Sequence, residues 1–276
     1  MSGRPRSNAD SDREPPGARS EHRLPRCYVP LLPADGGAVQ LTAAESHHLV
    51  VVLRLGIGAP VEAFDGKGRS AQGRLSAVQG SGAVLELEPA VEQPERVWHG
   101  TLLQGAPKGD KKDEIVRAAV ELGFQRVVLF AAAYTIGRPA PSDVQRWTAR
   151  WHAAAISAAK QCGQNRLPEV IWGDDLARAL AVCRDADVSL LCEAGARAKA
   201  WPDVRPRLLS GGLNRRVRVA VGPEGGWSAG EVEEMVGAGF EAVRLAAHIL
   251  RVETAAIAAM ALVAAELDAA LPDISP

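Results

Sequence analysis

Three short stretches of this chain carry residue types suited to ligand chemistry: Leu191-Cys192-Glu193-Ala194-Gly195, Gly222-Pro223-Glu224-Gly225-Gly226, and the run LAAHILRVET from Leu245 to Thr254. Each follows an apolar run and mixes small residues with a carboxylate, Glu193, Glu224 or Glu253. Glycine-rich turns between a strand and a helix often cradle phosphate, because main-chain N–H groups point at the anion. That use fits poorly here. Glu224 stands where a phosphate would have to sit, and neither the Walker spacing nor G-x-G-x-x-G occurs in the turn. If the three stretches converge, they enclose a pocket of main chain, carboxylates and the side chains of Leu245, Ile249 and Leu250. Such a pocket suits a flat, uncharged heterocycle attached to a cation. No metal site is indicated: Cys27, Cys162, Cys183 and Cys192 show no C-x-x-C spacing, and the six histidines contain no H-x-x-x-H pair. The cysteines read as reduced, mostly buried thiols of a cytoplasmic protein.

The elements that must position these residues follow from period and punctuation. Beyond Gln93-Pro94-Glu95, read as a hinge, strand-like and helix-like runs alternate to the end of the chain. TLLQGA, RVVLFAA, PEVIW, VSLLCEA, RVRVAV and EAVRL read as strands. Helices are expected from Asp110 to Gly123, from about Ser142 to Gln161, over DLARALAVC, after Ser228 and from a Thr254 cap. The stretch around Trp201 reads as irregular. Ser228-Ala229-Gly230-Glu231 is a capping box, which places the glycines before the helix. Such alternation predicts an α/β fold with a parallel sheet covered on both faces, whose ligands bind outside the carboxyl ends of the strands.

Upstream, short alternating runs broken by glycine predict a small β-barrel over residues 23–93, with Asp65-Gly66 as a hairpin turn and one helix from Ala43 to Leu55. Residues 1–22 are polar, Pro-containing and without an apolar core segment, and read as a disordered tail. No segment reaches the ~18 to 20 uninterrupted apolar residues of a membrane span. With a net charge of −1, a nucleic-acid partner would have to be held by local patches. Candidates are Arg23, Arg26, Arg54, Lys108, Lys111, Lys112 and Arg166.

Six phrases occur in one order: RCYVP, VLRLGIGAPVEAFDGKGR, KGDKKDEIVRAAVELGF, QCGQNRLPEV, VAVGPEGGWSAGEVE and LxxxILRxETAA. Together they resemble the SPOUT superfamily of knotted methyltransferases. Within it they are similar to the family that methylates N3 of a uridine in the 16S RNA of the small ribosomal subunit. The resemblance implies a PUA-like N-terminal barrel over 23–93, a SPOUT domain over 97–276 with a deep trefoil knot, and a homodimer. It also implies S-adenosylmethionine bound by Leu191, Cys192, Glu193 and Gly195, by Gly222, Pro223, Glu224, Gly225 and Gly226, and by Leu245, Ile249, Leu250 and Thr254. The glycines would let main chain close onto the cofactor where a Cβ would collide. The chain departs from the pattern at Ala246 and His248, where glycine and arginine are usual, at Val252, at Gln164 where arginine is usual, and at Lys160 where glutamate is common.

Methyl transfer from a sulfonium is an in-line displacement, so aligning the acceptor nitrogen does much of the work. The uracil imide is protonated near neutral pH, and its anion spreads charge onto two flanking carbonyl oxygens. Arg251 is the candidate for that charge, with Glu253 or Glu224 orienting the site. Blander roles stand beside these: a salt bridge across a dimer interface for Arg251, a helix N-terminal carboxylate for Glu253, a loop brace for Glu224. The target nucleotide would have to be unstacked or single-stranded. Two other functions remain open at this point: a SPOUT ribose 2′-O-methyltransferase, and a non-catalytic RNA-binding or ribosome-assembly protein of the same fold.

Overall fold

The computed structural model describes residues 23–80, 82–137, 139–195, 198–210, 212 and 214–270. The tail expected over 1–22 lies outside the described residues.

The N-terminal unit comprises β1 (Arg26–Tyr28), β2 (Gly37–Gln40), α1 (Ala43–His47), β3 (Pro60–Phe64), β4 (Arg69–Gln79), β5 (Gly82–Leu87) and β6 (Val91–Glu92). They form one six-stranded sheet in the order β1-β3-β4-β5-β2, with β6 on β4. β1 joins β3 in parallel and the remaining pairs are antiparallel. Alternate residues bury Val61, Leu75 and Leu85 against Leu49. The hairpin turn holds because Asp65 Oδ1 accepts the N–H groups of Lys67 and Arg69 at 2.7 and 3.0 Å, while Gly66 takes φ +73°. The helix expected over 43–55 is α-helical only through His47; His48–Val52 then widens into a π-helical turn.

The C-terminal unit runs β7 (Trp98–Gly105), α2 (Lys111–Glu121), β8 (Arg126–Phe130), α3 (Pro141–Cys162), β9 (Glu169–Trp172), α4 (Leu176–Val182), β10 (Val188–Cys192), β11 (Lys199–Ala200), α5 (Trp201–Leu209), β12 (Arg215–Val221), α6 (Ala229–Gly237), β13 (Glu241–Arg244) and α7 (Val252–Ala269). Its seven strands are all parallel, in the order β11-β13-β10-β12-β7-β8-β9. Both faces are covered, which is why the strands read as nearly unbroken apolar runs. One face packs Leu102, Leu190 and Val219 against Ile115 of α2, Trp151 of α3 and Met260 of α7. The other packs Leu103, Leu191 and Ala220 against Leu176 of α4 and Met235 of α6.

Two expectations need correcting. The region around Trp201 is a helix, α5, with proline in its first turn and Asp203 accepting the Ala200 N–H at 3.3 Å. Pro206 within it obscures the helical period. The last helix starts earlier than Thr254: Arg251 is its N-cap and accepts the Ala255 N–H at 2.8 Å, because burying Val252 against the core draws the first turn forward.

The two units meet at the C-terminal end of α3. Arg23 donates to the carbonyls of Gln161 and Cys162 at 3.0 and 2.9 Å, and Arg26 donates to the carbonyls of Ala159 and Gln164 at 2.6 and 3.2 Å. The last-turn carbonyls of a helix lack intrahelical partners, so Arg23 satisfies acceptors that would otherwise be orphaned, while Arg26 adds a second donor to the Ala159 carbonyl, which also accepts the Gly163 N–H at 2.9 Å. Lys160 pairs with Glu45 at 2.6 Å across the same junction, giving this departure from the family pattern a structural role. The expected hinge is pinned: Gln93 donates its N–H to Gly68 at 2.7 Å, and its carbonyl accepts from Arg166 at 3.3 Å.

Candidate active site

β10, β12 and β13 are neighbours in the sheet with β10 in the middle, so the loops leaving their carboxyl ends are brought together. They wall a cavity of about 400 Å³ whose lining includes Glu193, Gly222, Gly226, Leu245 and Leu250. Cys192, Pro223, Glu224 and Ile249 also face it, as do Arg251 and Glu253 from the start of α7.

Lys111, at the start of α2, locks two of the loops. Its Nζ lies 3.0 Å from Glu224 Oε1 and 3.2 Å from Glu253 Oε2, and the Lys108 N–H adds a bond to Glu224 Oε1 at 3.2 Å. Burial pushes the Glu224 carboxyl up, but its own N–H, Lys111 and the Lys108 N–H outweigh this and hold it below its ordinary 4.5. The Glu253 carboxyl is lowered first by its own N–H and, against some desolvation, by Lys111. Lys111 is raised above 10.5, chiefly by Glu224. Carboxylates with lowered folded-state pKa values contribute stability that is complete above about 4.5 and fades as pH falls through the lowered values. The thermal midpoint should therefore fall on acidification through and below pH 4.5, and less steeply in Lys111→Met, as differential scanning fluorimetry across pH would measure.

Two residues that sequence reasoning missed complete the frame. Trp227 stacks on Phe130, with centroids 6.1 Å apart, and its Nε1 donates to the Cys192 carbonyl at 3.2 Å, tying the glycine loop to the end of β10. Gln104, fully buried in β7, donates Nε2 to the carbonyls of Gly105, Val221 and Gly222 at 2.8, 3.2 and 3.3 Å. A lone amide in the apolar run TLLQGA was the available signal for it.

Several expected ligand residues stand elsewhere. Leu191 is fully buried on the face of α4 and α6, because successive strand residues point to opposite faces. Gly195 and Thr254 do not line the cavity, and Thr254 is an exposed residue inside α7. Gly225 is beneath Tyr134, whose Cβ would lie 2.7 Å from a Cβ added at 225. Cys192 does face the cavity, but burial pushes its thiol up to about 12, which removes it as a thiolate nucleophile.

The cationic candidates divide similarly. Arg26 is buried, ion-paired to Glu62 at 3.0 Å and bonded to Asn165, so it cannot meet RNA. Arg23 is spent on the end of α3, and Arg166 donates to the carbonyls of Lys67 and Gln93. Lys112 donates to the Pro107 carbonyl and covers the Trp147 ring at 5.0 Å. Lys111 belongs to the cavity wall. Lys108 and Arg54 remain exposed. Among the described residues no group of three or more His, Cys, Asp or Glu could hold a metal, and no helix is long and apolar enough to cross a membrane.

A family model described as an RNA methyltransferase domain matches residues 93–264, and one described as an RNA methyltransferase PUA domain matches residues 41–88. Ribosomal RNA small subunit methyltransferase E of Synechocystis is 31% identical over 83% of this chain and 74% of its own length. The chain belongs to the ribosomal RNA small subunit methyltransferase E family. The Bacillus subtilis member is 26% identical, over 80% of this chain and 87% of its own. Among solved structures, the family member from Neisseria gonorrhoeae bound to S-adenosylmethionine superposes with a TM-score of 0.74 at 29% identity, covering 87% of this chain and 96% of that one. A Legionella pneumophila protein solved with the same cofactor shares the fold, with a TM-score of 0.80 at 24% identity over 88% of this chain and 98% of that one. In this methyltransferase family member the cavity thus sets Leu245, Ile249 and Leu250 beside charged groups, and two of its carboxylates are bound to Lys111.

Proposed function

We propose that this chain transfers a methyl group from S-adenosylmethionine to N3 of a uridine in the 16S RNA of the assembled small ribosomal subunit. The cavity at the ends of β10, β12 and β13, with Arg251 on its wall, is the observation that carries this reading. The lining suits the cofactor: apolar Leu245, Ile249 and Leu250 offer faces for a flat heterocycle, and the carboxylates favour a cation over a polyphosphate. A Cβ added at Gly222 would lie 3.2 Å from the Gly226 carbonyl carbon and 3.3 Å from the Trp227 ring, so a larger residue there would have to shift the turn by a few tenths of an ångström.

When bound, S-adenosylmethionine supplies an electrophilic methyl group on a sulfonium. The protein supplies orientation and charge. Arg251 is exposed and, among the described residues, makes no ion pair, leaving its guanidinium available to the oxygen that gains charge as the imide proton passes to solvent water. Glu224 and Glu253 hold protons more weakly than ordinary carboxylates. They are therefore poor proton acceptors, suited to orienting the loops through Lys111. In this reading residues 23–93 form a closed PUA-like barrel that contacts RNA, residues 97–276 form the catalytic unit, and the molecule is a homodimer. Entry of β13 between β10 and β11, both earlier in the chain, supports a knotted C-terminal segment.

The test is methylation of small subunits lacking the modification, against naked 16S RNA, with nucleosides identified by mass spectrometry and cofactor binding followed by calorimetry. 3-Methyluridine formed preferentially on the subunit is expected. A ribose-methylated nucleoside, or no cofactor affinity, would overturn the reading. Subunit affinity should also fall as salt rises, because Lys108 and Arg54 would act through phosphate contacts.

A further inference from the structure

Of the six Trp, two Tyr and four Phe residues, all within the described chain, Tyr134 is the only one that is exposed. Large aromatic rings are normally covered, and an uncovered one held in a fixed place needs a reason. Tyr134 is held. It sits in a turn closed by the Thr135 N–H on the Ala132 carbonyl at 2.9 Å and by the Ala132 N–H on Thr135 Oγ1 at 3.0 Å. Glu231, the capping-box residue of α6, accepts the Ala133 N–H at 2.8 Å. The Tyr134 Cβ packs on Gly225, where any larger residue would displace it.

Its surroundings border the cavity and the loop that carries Lys108. Glu224 and Gly226, on either side of Gly225, line the cavity. The β7–α2 loop with exposed Lys108 adjoins it, since Thr135 Oγ1 donates to the Ala106 carbonyl at 3.4 Å and the Lys108 N–H reaches Glu224. An exposed aromatic face beside a cation suits an unpaired nucleobase and its phosphate, and such stacks form whatever the base because every base has a π face.

We infer that the Tyr134 ring is a stacking platform for an unpaired base of the RNA, next to the nucleotide presented to the cavity. The inference rests on the proposed function. It also gives Gly225 a different purpose from the cofactor contact expected of it: the missing Cβ makes room for the ring.

The test compares wild type, Tyr134→Ala, Tyr134→Phe and Gly225→Ala for small-subunit binding, methylation kinetics, S-adenosylmethionine affinity by calorimetry and sedimentation. Tyr134→Ala should raise the KM for the subunit about tenfold, as expected for loss of one base stack, with kcat little changed. Tyr134→Phe should restore the wild-type KM, because the face and not the hydroxyl is used. Gly225→Ala should weaken subunit binding while cofactor affinity stays within about twofold of wild type. A wild-type KM in Tyr134→Ala would overturn the inference, as would a changed oligomeric state in that variant, which would make the ring an interface between copies. If the wild-type protein binds the subunit without methylating it, the proposed function falls, and the same Tyr134 comparison on binding alone decides the stack.

Discussion

Arg251→Ala should methylate small ribosomal subunits about 10²- to 10³-fold more slowly than the parent, with S-adenosylmethionine affinity changed by only a few fold. That is the cost of removing a donor aimed at charge that develops only in the transition state. Arg251 is placed for this by the backbone: as N-cap of α7 it is extended, at φ −64° and ψ 153°, and its side chain leaves the helix at the cavity. Truncation empties no core, since the residue is exposed. Arg251→Lys keeps the charge but loses the planar fork, and should fall between the two. Single-turnover methylation at saturating cofactor, with calorimetry in parallel, separates chemistry from binding. Full activity in the alanine variant would take Arg251 out of the reaction.

Arg26→Met should lower stability by about 3 kcal/mol, the scale of removing one partner from a buried ion pair. For a protein of this size that is a fall of about 6–12 °C in the thermal midpoint. Burial lowers the Arg26 pKa, opposed by Glu62, so the guanidinium is held charged by its partners at the unit boundary. Its removal strands Glu62 and the Asn165 side chain and takes one of two donors from the Ala159 carbonyl. Scanning calorimetry measures the loss. The salt dependence of subunit binding should not change, whereas deleting a true phosphate contact would flatten its slope by about one.

The parts of the molecule fixed by neighbours in the chain could be read from it. Asp65-Gly66, the Ser228–Glu231 box and the alternation behind a parallel sheet are local, and the three loops that wall the cavity were legible because each follows an apolar strand. Contacts between distant segments were not legible. Nothing in RCYVP says that Arg26 will be drawn into the end of a helix 133 residues away. Nothing around Gly225 names Tyr134 as its neighbour. Where a glycine-rich turn had been read as one surface serving one ligand, Gly222 and Gly226 face the cavity and Gly225 faces the other way. Arg23 and Arg166 looked like free cations because their carbonyl partners lie on the other unit.

The clamp on the end of α3 has a consequence for how a target is chosen. With Arg23, Arg26 and Lys160 bridging the units and Gln93 pinned, RNA contacted by the N-terminal unit, as proposed above, would be held at a set span from the cavity. The molecule would then work as a calliper, a nucleotide qualifying by its distance from a landmark in folded RNA as much as by the letters around it. Loosening the clamp should blur that measurement before it slows the reaction.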